Sequence, residues 1–299
     1  MRKSLLNTVL LSLVLVPLGC GASDVPDPMP PPPPPPLAPP RADLVVAGDG
    51  STDKQAQVVA ASVDVERVEG RVAYYRFDEQ DGPVLDSSGN DLHGVAKDVV
   101  RGEQGRFGGA AFFNGMAFVR VPASKQLDFT DAATVEVWMR IAGVDELFGR
   151  RINYVFDVRN AISRGTGGND DVFILSTTTL SNTTNCGNLQ AVFARAGGPT
   201  TNASTDCGVV PIKTWVHVAV VNDSKELRLY LNGDLIKVDK GGVMGPIASD
   251  LYIGQREQKI FGFQGALDEL QWWRVVRTQR QICSDARGTW NGKNCVWEK

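Results

Sequence analysis

Leu227-Arg228-Leu229-Tyr230-Leu231-Asn232-Gly233-Asp234-Leu235-Ile236-Lys237-Val238-Asp239 is the stretch that decides the fold. Leu227, Leu229 and Leu231 share one face and Arg228 and Tyr230 the other, which is the period of a half-buried strand. Asn232-Gly233 supplies the two positive φ angles of a type I′ turn, so the segment predicts an antiparallel hairpin. Outward from it, Thr134–Ile141 repeats the pattern. Val135, Val137, Met139 and Ile141 face one way, and Glu136, Trp138 and Arg140 the other. The same alternation marks Arg71–Phe77, Ala111–Asn114, Phe118–Pro122, Asn153–Arg159, Asp171–Thr177, Leu189–Arg195, Thr214–Asn222, Asp250–Gln255 and Phe263–Arg274. Phe113-Asn114-Gly115-Met116 predicts a second Asn-Gly hairpin. Many short strands with almost no helical pattern predict an all-β, two-sheet antiparallel sandwich, each sheet having one dry and one partly wet face.

Several motifs then recur in a fixed order. Ala73-Tyr74-Tyr75-Arg76-Phe77-Asp78-Glu79 precedes Asp86-Ser87-Ser88-Gly89-Asn90 and His93-Gly94. Gly105-Arg106-Phe107-Gly108-Gly109-Ala110, Phe113-Asn114-Gly115 and Phe118-Val119-Arg120-Val121-Pro122 follow. Thr134-Val135-Glu136-Val137-Trp138-Met139, Thr214-Trp215-Val216-His217-Val218-Ala219, Leu229-Tyr230-Leu231-Asn232-Gly233 and Phe263-Gln264-Gly265-Ala266-Leu267-Asp268-Glu269-Leu270 complete the series. From Val72 to Arg277 this order resembles the laminin-G-like, concanavalin A-like jelly-roll domains of bacterial surface proteins. The resemblance implies a family used mainly to bind sugars or proteins, often with a structural calcium.

Asp268 falls in phase with Ala266, Leu270 and Trp272, so it is expected on the apolar face. A carboxylate there needs a partner. Calcium would satisfy it with oxygens from Asp86 and Asn90, because the resemblance implies that the loop after the first strand nears the last strand. The alternatives are capping of backbone amides or pairing with an arginine such as Arg274. His217, in phase with Trp215 and Ala219, and His93, in a loop beside Gly94, both read as structural. No strand carries acids at the same-face spacing that glycoside hydrolysis would need, so no enzyme is expected. A ligand surface is expected in the polar connections, with Asn169, Asp170, Asn182 and Asn185 as its residues.

Net charge is −3 with no long charged run, which leaves nothing for nucleic acid. Cys186–Cys207 and Cys283–Cys295 are the expected disulfides, since neighbours in sequence close short loops. Zinc spacing is absent. Gln279–Ala286 reads as a short helix before the second bridge, and residues 279–299 as a disulfide-closed extension beyond a domain spanning 63–278.

The N-terminus is a basic start, an apolar run from Leu5 to Leu18, and Gly19-Cys20. That is a secretory signal over residues 1–19, too short for a membrane span of about 20 residues. Gly-Cys resembles the bacterial lipoprotein signal, which implies lipid on Cys20; Pro17 and Leu18 depart from the family's preferred residues. An ordinary cleaved signal is the competing reading. Gly21 after the Cys implies, by the same resemblance, the outer membrane. Proline dominates Val25–Pro40, unbroken from Pro30 to Pro36, and a polyproline stalk of that length reaches on the order of 50 Å. The linker is expected to run from 20 to 62. The expectation as a whole is a lipid-anchored envelope module that binds glycan or protein, with a structural envelope component as the alternative.

Overall fold

Alternating apolar residues give seventeen strands and one helix in the computed structural model, which describes residues 68–129, 132–142, 151–159, 171–179, 187–194, 200–243, 250–255 and 262–297. The first strands are β1 (Arg71–Tyr75), β2 (Val95–Lys97), β3 (Val100–Gln104), β4 (Gly109–Asn114), β5 (Phe118–Val121) and β6 (Ala133–Ile141). Next come β7 (Arg151–Arg159), β8 (Asp171–Thr179), β9 (Gln190–Ala194), β10 (Thr200–Ser204), β11 (Trp215–Asn222), β12 (Glu226–Leu231) and β13 (Asp234–Lys240). β14 (Leu251–Ile253) and β15 (Gln264–Trp273) precede helix α1 (Gln279–Asp285), β16 (Thr289–Trp290) and β17 (Cys295–Val296). Among the described residues, no helix is long and apolar enough to cross a membrane.

The strands form two large antiparallel sheets. One has the order β13-β12-β11-β6-β15-β4-β3 with β1 also on β15, and the other β10-β9-β8-β7-β14-β5-β2. Val135, Val137, Met139 and Ile141 of β6 and Leu227 and Leu229 of β12 enter the shared core as the alternation requires. Phe173 and Leu175 of β8, Phe193 of β9, and Leu251 and Ile253 of β14 enter it from the second sheet. Phe173 lies 5.2 Å from Trp272 of β15, ring centre to ring centre, so aromatic packing ties the sheets together. Asn232 and Gly233 have φ of 49° and 85°, the turn expected between β12 and β13.

Asn114-Gly115 does something else. β4 pairs with β15 and β3, whereas β5 pairs with β14 and β2, so this turn carries the chain from one sheet to the other. Asn114 Oδ1 accepts from the amides of Met116 and Ala117, both at 2.9 Å. An Asx turn of this kind uses the same residue types as a hairpin.

The outer face of the first sheet also departs from expectation, because it is dry where β6, β11 and β15 lie together. Glu136, Trp138, His217 and Asp268 are all at most 1% exposed. The C-terminal extension covers part of it: Ile282 of α1 packs with Ala219, Val221 and Tyr230, and Trp297 meets Trp138 at 6.2 Å. Thr278 caps α1 with a capping box, and Cys283–Cys295 closes the extension as expected. Gly233 is needed twice: besides its positive φ, any Cβ there would lie 2.6 Å from Cys295 Sγ.

Candidate functional site

Asp86 organises the loop after β1. Its Oδ1 accepts from the amides of Tyr74 and Ser88, both at 2.9 Å. Its Oδ2 accepts from Ser88 Oγ at 2.8 Å and from the Leu92 amide at 3.1 Å. The Asp86 amide donates to His93 Nδ1 at 2.9 Å, which makes His93 a structural acceptor. Asn90 turns its Nδ2 inward, to Val72 O at 2.9 Å and Arg71 O at 3.2 Å. Four donors therefore occupy the carboxylate that was expected to hold calcium.

Asp268 sits elsewhere. A bulge between Asp268 and Gln271, with Glu269 at a φ of 52°, shifts the phase of β15. Leu267, Leu270 and Trp272 consequently face the core, while Asp268 lies on the opposite face, opposite Trp138 of β6. Its Oδ2 accepts from the Phe107 amide at 2.8 Å, which is the amide-capping alternative, and Oδ1 is buried with no hydrogen-bond partner. Burial, above all, pushes its carboxyl up to about 8, with Glu269 and Asp78 adding to the rise. Asp86, Asn90 and Asp268 thus have separate sets of partners, and no cluster of three or more His, Cys, Asp or Glu suits a metal among the described residues. These residues do not fit a calcium ion.

Sequence reasoning read His217 as structural without a named partner, and the structure supplies one. His217 Nε2 lies 3.6 Å from Glu136 Oε2 on the adjacent strand. Arg277 Nε is 3.1 Å from Glu136 Oε1, and its Nη2 bonds Asp285 of α1. Burial raises the Glu136 carboxyl well above its ordinary range, with Asp285 adding and Arg277 opposing. Burial likewise lowers His217 to about 3, assisted by Arg277 and Arg287. The cluster fastens the extension to the sheet: a neutral acid and a neutral imidazole lie beside one arginine–aspartate pair.

A cleft of about 420 Å³ opens where the start of β1 meets the end of β15. Gly70, Arg71, Val72, Asn90, Gln126 and Arg274 line it, and none of them is acidic. The Arg274 amide donates to Gly70 O at 2.8 Å, which fixes the two strand ends together. Arg274 Nη2 donates to Gln126 O at 2.5 Å, in the 3₁₀ turn Lys125–Leu127 that Ser124 caps. The Arg71 guanidinium lies 4.6 Å above the Tyr74 ring and 5.7 Å from that of Trp273. Among the described residues, Asn90 alone of the expected site residues reaches this cleft. Residues from four distant segments build it, and no local motif signalled it. Asn169, Asp170, Asn182 and Asn185, as well as Cys20 and Cys186, lie outside the described residues, and Cys207 is disulfide-bonded.

Fold and cleft define a jelly-roll domain of the laminin G type, built as a two-sheet antiparallel sandwich. The chain belongs to the concanavalin A-like lectin/glucanases superfamily, whose laminin G family model matches residues 113–283. Human pappalysin-1 is 27% identical over 187 residues, which are 59% of this chain and 11% of that protein. Mouse pappalysin-1 is 32% identical over 77 residues, 24% of this chain and 5% of that one. The chain therefore spans only about a tenth or less of these relatives. Among solved structures, domain 4 of a GH43 extracellular arabinanase from Geobacillus stearothermophilus, in complex with arabinotriose, shares 21% identity. Its TM-score is 0.52, covering 72% of this chain and 97% of that one. The ligand binding domain of botulinum neurotoxin serotype D, in complex with N-acetylneuraminic acid, has a TM-score of 0.54 at 11% identity, covering 73% and 50%. The binding domain of Paraclostridial mosquitocidal protein 1 has a TM-score of 0.54 at 16% identity, covering 71% and 51%. At these identities the likeness is one of fold.

Proposed function

We propose that this chain is a binding module for glycan, displayed at a bacterial cell envelope, with the ligand seated in the cleft between β1 and β15. The observation that carries the reading is that cleft. Its volume falls in the usual range for ligand sites, and its walls offer amide and guanidinium groups held by a rigid sandwich. Asn90 uses its Nδ2 on backbone carbonyls, which leaves its Oδ1 to accept from a sugar hydroxyl. Two of the similar solved structures are complexes with a saccharide, which supports the ligand class. Binding rather than turnover is supported at Glu136 and Asp285, two acids drawn together on the outer face. Arg277 ties both of them, and Glu136 has no exposed surface.

Lipid on Cys20 and the proline-rich segment after it would hold the module away from an outer-membrane surface. Two measurements test the proposal. On a glycan array, the full chain is expected to select a defined set of saccharides, and Gln126→Ala to weaken that binding. Flat signals throughout, with a stoichiometric protein partner recovered instead, would favour a structural envelope component. Cys20→Ser is expected to move the protein from the membrane to the soluble fraction, and unchanged membrane association would remove the anchor.

A further inference from the structure

We infer that the ligand of the β1–β15 cleft is anionic: a saccharide bearing carboxylate or sulfate groups, gripped by Arg71 and Arg274. The inference rests on the proposal that this cleft takes a saccharide, and it names the chemical class. Two of the six lining residues are cations and none is an acid. Four arginines elsewhere among the described residues have acidic partners, namely Arg76 with Asp78, Arg120 with Asp250 at 2.7 Å, Arg228 with Asp223 at 2.5 Å, and Arg277 with Glu136 and Asp285. Arg101 and Arg140 donate to backbone carbonyls instead. Among the described residues neither cleft arginine has an acidic partner.

Arg274 is held by a backbone carbonyl and by the Phe129 ring at 5.8 Å. Arg71 faces two aromatic rings, and its Nε is buried with no hydrogen-bond partner. An orphaned donor of that kind is unfavourable until something accepts from it. Asp86 and Asp285 are the acids whose fields reach Arg71. However, Asp86 is occupied by four donors and Asp285 by Arg277, so the guanidinium keeps capacity for an external anion.

Both arginines are also set in place before any ligand arrives. The Arg71 amide donates to Val68 O at 3.0 Å, and the Arg274 amide to Gly70 O at 2.8 Å. Asn90 Nδ2 holds the carbonyls of Arg71 and Val72. The guanidinium groups themselves are placed by the Tyr74 and Trp273 rings for Arg71 and by Gln126 O and the Phe129 ring for Arg274. Such planar groups match the two oxygens of a carboxylate or the oxygens of a sulfate ester, which a neutral sugar lacks. A preset pair also loses little side-chain freedom on binding.

The test uses the full chain on an array of neutral, uronate-bearing and sulfate-bearing oligosaccharides, followed by titration of the strongest hit at low and high salt. The expected result is selection of the acidic arms, with affinity falling as salt rises. The relative strength of the uronate and sulfate arms tells which anion is preferred. Arg274→Gln should weaken that hit about tenfold or more without moving the melting temperature, because the side chain is exposed. Arg71→Lys keeps the charge but loses the planar fork, and should weaken it as well. Equal binding of neutral and acidic oligosaccharides, unmoved by Arg274→Gln, would overturn this inference and leave the glycan module standing. No binding on any arm would overturn both.

Discussion

Asp86, in the loop after β1, and Asp268, within β15, are both buried acids, and the fold treats them in opposite ways. Around Asp86 the loop brings four donors within 3.1 Å. Around Asp268 only one oxygen has a donor, and the other is sealed with none. A carboxylate with enough donors needs no counterion; a carboxyl without them is held neutral by burial. The contrast shows why an acid in a β-sandwich cannot be read as a metal ligand from its phase alone. What matters is how many N–H groups the backbone delivers to it.

The largest effect that tests this contrast is expected from Asp86→Ala. Four donors would lose their acceptor in a loop that also carries Asn90, at a total cost of roughly 3–5 kcal/mol if each group loses about 1 kcal/mol. Urea unfolding of the variant measures it, and Asp86→Asn, which keeps one acceptor oxygen, should lose less. A loss below about 1 kcal/mol would mean that Asp86 is no better supported than Asp268, and the comparison would collapse. Ligand binding should fail in Asp86→Ala as well, since Asn90 and the wall of the cleft hang from the same loop.

A second, somewhat smaller effect concerns the cover over Asp268 and its neighbours. The Cys283–Cys295 bridge spans a sequence separation of 12, and a loop of that size contributes about 3 kcal/mol in the chain-entropy estimate. Replacing both cysteines by serine should lower the denaturation midpoint accordingly. It should also let water reach the outer face of the first sheet, because Trp297 rests on Trp138. A red shift of tryptophan emission before global unfolding would report that. Coincident transitions in fluorescence and circular dichroism would show instead that the extension and the sandwich melt as one unit.

How much of this was legible in the sequence follows from range. The strands around Leu227–Asp239 and Thr134–Ile141 were legible because their signal is local alternation. The Asn232-Gly233 turn and the Cys283–Cys295 loop were legible for the same reason. β3 was missed because Val100-Arg101-Gly102-Glu103-Gln104 buries nothing and so shows no alternation. The bulge after Asp268 was not visible, since a left-handed φ at a glutamate leaves no mark in composition, and it reversed the predicted face of Asp268. The partnership of His217 with Glu136 was hidden because strand neighbours in the sheet are far apart in the chain. The cleft was invisible for the same reason: Arg71, Asn90, Gln126 and Arg274 meet only after β1 pairs with β15 and the flanking loops close on them.

The effect that is smallest in mild acid is the most diagnostic: a pH-dependent gain in stability from Asp268→Asn. Burial holds the folded carboxyl at about 8, above its ordinary 3.8. Between those values the folded protein keeps a proton that the unfolded chain has released, so this group's contribution falls as pH rises. His217 works in the other direction. Its folded value near 3 lies below the usual 6.5, so stability falls as pH drops through that window. The difference between variant and wild type cancels the His217 contribution and isolates Asp268. Asparagine keeps the acceptor for the Phe107 amide and carries no charge, so melting temperatures should match near pH 4. By pH 5 the variant should lead by a few degrees, or roughly 1–2 kcal/mol, and the lead should widen toward pH 8 by up to about 1.4 kcal/mol per pH unit. A constant offset across that range would mean that Asp268 is solvated and ionised in the fold, like an ordinary surface acid. A wild-type gain with excess calcium at pH 8, absent from the variant, would mean that a cation reaches Oδ1 after all, and would place Asp268 beside Asp86 as a satisfied carboxylate.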